Sequence, residues 1–133
     1  MATTTYFLNT IMSGVFKSET LPTNYYIGLS TSTPTTSGTN VTEPSGGSYA
    51  RVDVTSYLGT PSSGVITNTL NISFPDSTAS WGTVTHYVIY DALTGGNLLM
   101  FNALSSPMTI GTDVGIVIKS GRLQLTLSDA ANS

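Results

Sequence analysis

Short stretches of alternating apolar and polar residues, broken by Gly, Pro, Asn and Ser, dominate this chain, and they predict β-strands. The strongest signal lies at residues 84–101. Val84-Thr85-His86-Tyr87-Val88-Ile89-Tyr90 is dense in β-branched and aromatic residues, and Asn97-Leu98-Leu99-Met100-Phe101 is an apolar run of strand length. Between them, Asp91-Ala92-Leu93-Thr94-Gly95-Gly96 has the residues that close a hairpin: an Asp that bonds its own backbone and glycines that take positive φ. Strict alternation places Val84, His86, Val88 and Tyr90 on one face and Tyr87 and Ile89 on the other. A strand apolar on both faces belongs in the middle of a sandwich or in a subunit interface. Trp81, the sole tryptophan, precedes the hairpin and is expected to anchor one end of the core.

Elsewhere the pattern changes period once. Phe7, Ile11 and Val15, with Leu8 and Met12, recur at helical spacing, so residues 4–16 predict a helix capped by Thr3, Thr4 or Thr5, with Gly14 the weak point. That helix either packs on the core or serves as an arm docking on a neighbouring subunit. Residues 25–30 read as a strand, and residues 31–48, polar and rich in Pro and Gly, as a long contact loop on the outside of the domain. Residues 50–55 alternate, with Ala50, Val52 and Val54 to the core. Residues 61–64 form a turn, and residues 70–74 alternate again until Pro75. Ser106-Pro107 marks a bend before a short edge strand at 108–110. Residues 114–118 and 123–127 are expected to pair with each other across Ser120-Gly121, leaving a polar tail at 128–133.

The sum is all-β: an antiparallel β-sandwich or jelly roll of about eight strands with a short N-terminal helix. It occupies residues 1–133 as one domain, with 1–20 as helix or arm. No βαβ alternation or internal repeat appears.

Composition narrows the function. Charged residues make up only 8% of the chain while 39% is hydrophobic, so the surface is neutral and hydroxyl-rich. Such a surface suits a protein packed against partners over much of its area. The four basic residues, Lys17, Arg51, Lys119 and Arg122, are scattered and the net charge is −3, which argues against nucleic-acid binding. There is no cysteine and no apolar run of the ~20 residues that span a bilayer, and the first residues do not read as a secretion signal, so neither secretion nor a membrane partner is expected.

Catalytic chemistry is sparse. His86 is the single histidine and falls inside the central strand, where a hydrogen-bonded core or interface imidazole is expected. Gly46-Gly47-Ser48 lacks the second glycine and the strand-to-helix setting of a nucleophile elbow. Glu43, Asp53, Asp76, Asp91 and Asp113 fall mostly at turns, where carboxylates serve the backbone. With one His and no Cys, no zinc or iron site assembles within one chain. No cofactor, metal or enzymatic activity is expected; a polysaccharide-cleaving enzyme using Asp53, Asp76 or Asp91 is the least favoured reading.

Three motifs occur in order: Tyr26-Ile27-Gly28-Leu29-Ser30-Thr31-Ser32-Thr33-Pro34; Glu43-Pro44-Ser45-Gly46-Gly47-Ser48-Tyr49-Ala50-Arg51; and Phe74-Pro75 through Trp81-Gly82-Thr83-Val84-Thr85-His86 to Asp91-Ala92 and Gly95-Gly96-Asn97-Leu98-Leu99. Together they resemble a small virion protein family of tailed bacteriophages, whose members are head decoration (cement) proteins or tail-fibre-like proteins. The resemblance implies a β-sandwich virion component, trimeric, on the capsid surface, with no catalytic residues. On that reading the chain is made in the host cytoplasm, binds the major capsid protein on the mature head and bridges capsomers. Tyr6, Phe7 and Phe16 are the expected shell contacts, and His86, Tyr87 and Ile89 the expected homotrimer interface. The alternative is a tail-fibre or receptor-binding module that contacts host-surface glycans through the 31–48 loop and exposed tyrosines.

Overall fold

The computed structural model describes residues 2–127. It is an antiparallel β-sandwich with one helix near its N-terminus, and the expected tail at 128–133 lies outside the described residues. The strands are β1 (Ala2–Thr3), β2 (Tyr26–Ser30), β3 (Val52–Asp53), β4 (Val65–Thr67), β5 (Ile72–Ser73), β6 (Gly82–Tyr90), β7 (Leu98–Ile110), β8 (Val117–Ile118) and β9 (Gln124–Thr126), with helix α1 (Thr5–Phe16) between β1 and β2. One layer is a five-stranded sheet in the order β1-β7-β6-β2-β3; two short ladders, β4-β9 and β5-β8, oppose it. No helix is long and apolar enough to cross a membrane among the described residues.

The hairpin β6–β7 is the spine, as its sequence predicts. Its inner face carries Val84, Ile89 and Met100 into the main core, where they meet Ile27 and Leu29 of β2, Trp81, and Ile72, Ile116 and Leu123 from the opposing layer. Val88, Tyr90, Leu98 and Phe101 form a second, smaller cluster, joined by Ala2 and by Val41 from the long loop. Near the hairpin turn, both faces of the spine are therefore covered within one chain.

One departure from strict alternation matters. Between Val84 and His86 the partner strand runs from Met108 to Ala103, so extra residues bulge out of β7. That break reverses the alternation and puts Val84 in the main core with Ile89, not with Val88 and Tyr90 as simple alternation predicts. Pro107 sits within the bulged stretch, where its missing N–H costs no ladder bond. The expected bend at Ser106-Pro107 is thus an irregularity inside one strand.

The expected pairing of 114–118 with 123–127 does not form. β8 pairs with β5 and β9 pairs with β4. Asn68, only 1% exposed, wedges the two arms apart. Its amide donates to the carbonyls of Leu70 (2.8 Å) and Lys119 (3.1 Å), and its side-chain oxygen accepts from Leu123 N–H at 3.0 Å. Its own carbonyl accepts from Gly121 N–H at 2.8 Å. The chain turns around this one side chain, and each arm finds its partner across the layer.

Thr4 explains how α1 is held. Its hydroxyl caps the helix by accepting from Phe7 N–H at 3.3 Å and also donates to Leu98 O at 2.7 Å, tying the helix start to β7. Gly14 is where Leu21 folds back onto the helix; a Cβ there would overlap the Leu21 side chain.

Candidate functional site

Three regions concentrate the side chains singled out by sequence. The first is α1, which carries no charged residue and buries none of its residues fully. Its Phe7 packs against the main core, but the same stripe runs on past the body: Val15 and Phe16 are 63% and 73% exposed, and Met12 and Tyr6 are exposed too. Beneath the helix lies an apolar cavity of about 380 Å³, lined by Phe7, Ile11, Ile66, Leu99, Leu125 and Leu127 among others. Of the three expected shell contacts, the structure therefore presents Tyr6 and Phe16 outward and turns Phe7 inward.

The second region is the Glu43–Arg51 motif, folded over the outer face of the sheet at Gly28. The Glu43 carboxylate accepts from Tyr49 Oη–H at 2.5 Å and from Arg51 Nη2 at 2.6 Å and Nε at 3.1 Å. Arg51 Nη1 donates to the carbonyls of Ala92 (2.7 Å) and Gly95 (2.8 Å), gripping the hairpin turn. Its guanidinium stacks 3.6 Å over the Tyr90 ring. Tyr49 Oη also accepts from Leu29 N–H at 2.9 Å, and its ring meets Trp81 edge-on at 5.3 Å. Trp81 Nε1–H in turn donates to Gly47 O at 2.8 Å. Burial, then the hydrogen bond to Glu43, push the Tyr49 phenol well above its ordinary pKa, so it stays a neutral donor. Gly28 is required here, because a Cβ would lie 2.6 Å from Tyr49 Oη and 2.9 Å from Glu43 Oε2. Every strong donor and acceptor in this clamp is engaged within the chain. The arrangement locks loop, turn and sheet together.

The third region is the middle of the spine. Ile89 is 2% exposed and lies in the main core, so it has no surface to offer a second copy, and its expected interface role is corrected to a core role. Its place in the sequence gave no warning, because a core strand and an interface strand share one pattern. His86 and Tyr87 are half-buried on opposite faces. His86 Nδ1 lies 2.8 Å from Thr85 Oγ1, and burial lowers its pKa. Tyr87 stands opposite Asn102 on β7 and Leu29 on β2.

The carboxylates considered for catalysis are dispersed. Asp53 accepts from Thr55 N–H at 2.9 Å, and Asp91 accepts from Asn97 N–H at 2.7 Å and from its side-chain amide at 3.1 Å, so both brace turns. No three His, Asp or Glu side chains gather for a metal ion among the described residues. Asn68 carries the largest structural load that sequence reasoning missed; one Asn among many polar residues gives no local sign of it.

Residues 2–126 match the family model described as Podophage GP4 fiber I protein gp80. No curated protein matches the chain.

Proposed function

The chain belongs to the family of the podophage GP4 fiber I protein gp80, a bacteriophage virion protein family, and from that premise we propose that it is an external fibre protein that works by binding rather than turnover. The observation that carries the attachment half of this reading is the overhang of α1. An uncharged helix with Met12, Val15 and Phe16 in water, beside an apolar cavity, is a surface made to be covered. Covering those side chains is worth roughly 1.5–3 kcal/mol each, before the costs of association. Repeated copies then turn a modest contact into durable attachment. The partner on this face is another virion structural protein, and the free protein is a closed homo-oligomer, expected as a trimer.

The capsid-surface reading is retained as the second one, because the three sequence motifs resemble decoration proteins as much as fibre proteins. It would place the major capsid protein under α1. Gold labelling of purified virions, with copy number by quantitative mass spectrometry, separates the two. Label on projecting fibres at low copy supports the fibre, and label over the head at hundreds of copies supports cement. Virions without the chain on their exterior would defeat both.

A further inference from the structure

We propose that the groove between β7 and β8 is a binding site for an acidic saccharide, an inference that rests on the binding role above and gives it a ligand class. The groove has a volume of about 660 Å³, within the ~300–1,000 Å³ usual for ligand sites. Across its floor runs one row of the sheet, Leu29–Tyr87–Asn102, in register on three adjacent strands. Lys119 and Arg122 stand at its margin.

The charge distribution is the first argument. The chain is acidic overall, with four basic side chains in total, yet two of them line this groove and, among the described residues, no Asp or Glu does. Both are exposed, and neither has an ion-pair partner among the described residues. Arg122 offers the planar fork that pairs with a carboxylate through two parallel hydrogen bonds.

The remaining lining argues for a sugar rather than another anion. Tyr87, with Leu104, Ile116 and Ile118, supplies apolar and aromatic surface for the C–H faces of pyranose rings. Asn102 donates its amide to Tyr87 Oη at 3.3 Å, which leaves the phenol's own proton directed to no partner among the described residues. Asn102 and Ser105 add donors and acceptors for hydroxyls. An acidic peptide would instead need a strand edge to pair with. The β7 wall is bulged beside Leu104 and Pro107, so its backbone groups are out of register for added-strand binding.

The test uses the full chain and isothermal titration calorimetry with tri-galacturonate and tri-mannuronate, each beside its carboxyl-reduced neutral counterpart, and with a tri-glutamate peptide. The acidic sugars bind, the neutral forms bind at least about tenfold more weakly, and the Lys119→Ala/Arg122→Ala variant loses at least about tenfold in affinity. Raised salt weakens the acidic sugars only. The double variant keeps its melting temperature, since both side chains are exposed and neither has an ion-pair partner among the described residues. Failure of both acidic sugars to bind, equal binding of the neutral forms, unchanged affinity in the double variant, or binding of the peptide alone would each overturn the proposal. Virion labelling is independent of this outcome: a fibre location with an empty groove defeats the saccharide site alone, and sugar binding by a chain absent from virions defeats the fibre reading alone.

Discussion

Replacing Glu43 by Gln tests whether the motif around it is a structural clamp. The substitution keeps the shape and removes the charge. Arg51, whose side chain is 7% exposed, then faces a neutral amide with one acceptor oxygen, for which Tyr49 competes. Removing one partner of a buried ion pair costs ~3–5 kcal/mol. The Glu43 side chain is 22% exposed, and Gln keeps one acceptor, so solvent and the retained bond reduce this to about 2–3 kcal/mol. For a domain of this size that lowers Tm by roughly 6–10 °C. The assay is thermal and urea unfolding of Glu43→Gln, Arg51→Met and the double variant. The clamp requires the double variant to lose at least ~1 kcal/mol less than the two single losses combined, because the stranded cation is gone. A Tm within about 1 °C of the parent for Glu43→Gln, or simple additivity in the double variant, would show that Glu43 and Arg51 do not act as a clamp.

Three further outcomes follow from the same geometry. Gly28→Ala forces a methyl group against Tyr49 Oη and Glu43 Oε2 and is expected to cost ~1–3 kcal/mol by urea unfolding, with loss of the Tyr49–Trp81 near-ultraviolet circular dichroism signal. Asn68→Ala leaves the Leu123 N–H and several carbonyls unpaired inside the protein and should cost roughly 3 kcal/mol or more in the same assay. Burial holds the His86 imidazole below its ordinary pKa of 6.5, so below that pH the unfolded chain binds a proton that the folded chain resists; this contribution to stability is complete above pH 6.5 and falls as pH drops below it. NMR titration should find His86 below 6.5, and His86→Gln should flatten the loss of Tm between pH 7.5 and 5.5.

Much of the fold was legible because its strongest elements are local. The spine hairpin, the Thr4-capped helix and the place of Trp81 in the core all follow from residues near one another in sequence. What escaped is non-local. The bulge that moves Val84 to the other face has no marker beyond Pro107, which reads equally well as a bend. The separation of 114–118 from 123–127 depends on Asn68, some fifty residues upstream of its Lys119 and Leu123 partners. Strand β4 is too short for period to declare itself. The motif from Glu43 to Arg51 was visible as a unit, but its purpose needed the positions of Gly28, Tyr90 and the 91–96 turn. Interface and core also share one sequence pattern, and only burial assigns Ile89 to the core and Phe16 to the surface.

The most direct measurement is the incorporation of a Met12→Ser/Val15→Ser/Phe16→Ser variant into virions, quantified by mass spectrometry against an unchanged structural protein. Those side chains already lie in water, so the free variant should fold, with Tm within a few degrees of the parent. The expected result is a well-folded protein that is missing from assembled particles. A variant carried at parental copy number would show that α1 is not the attachment face.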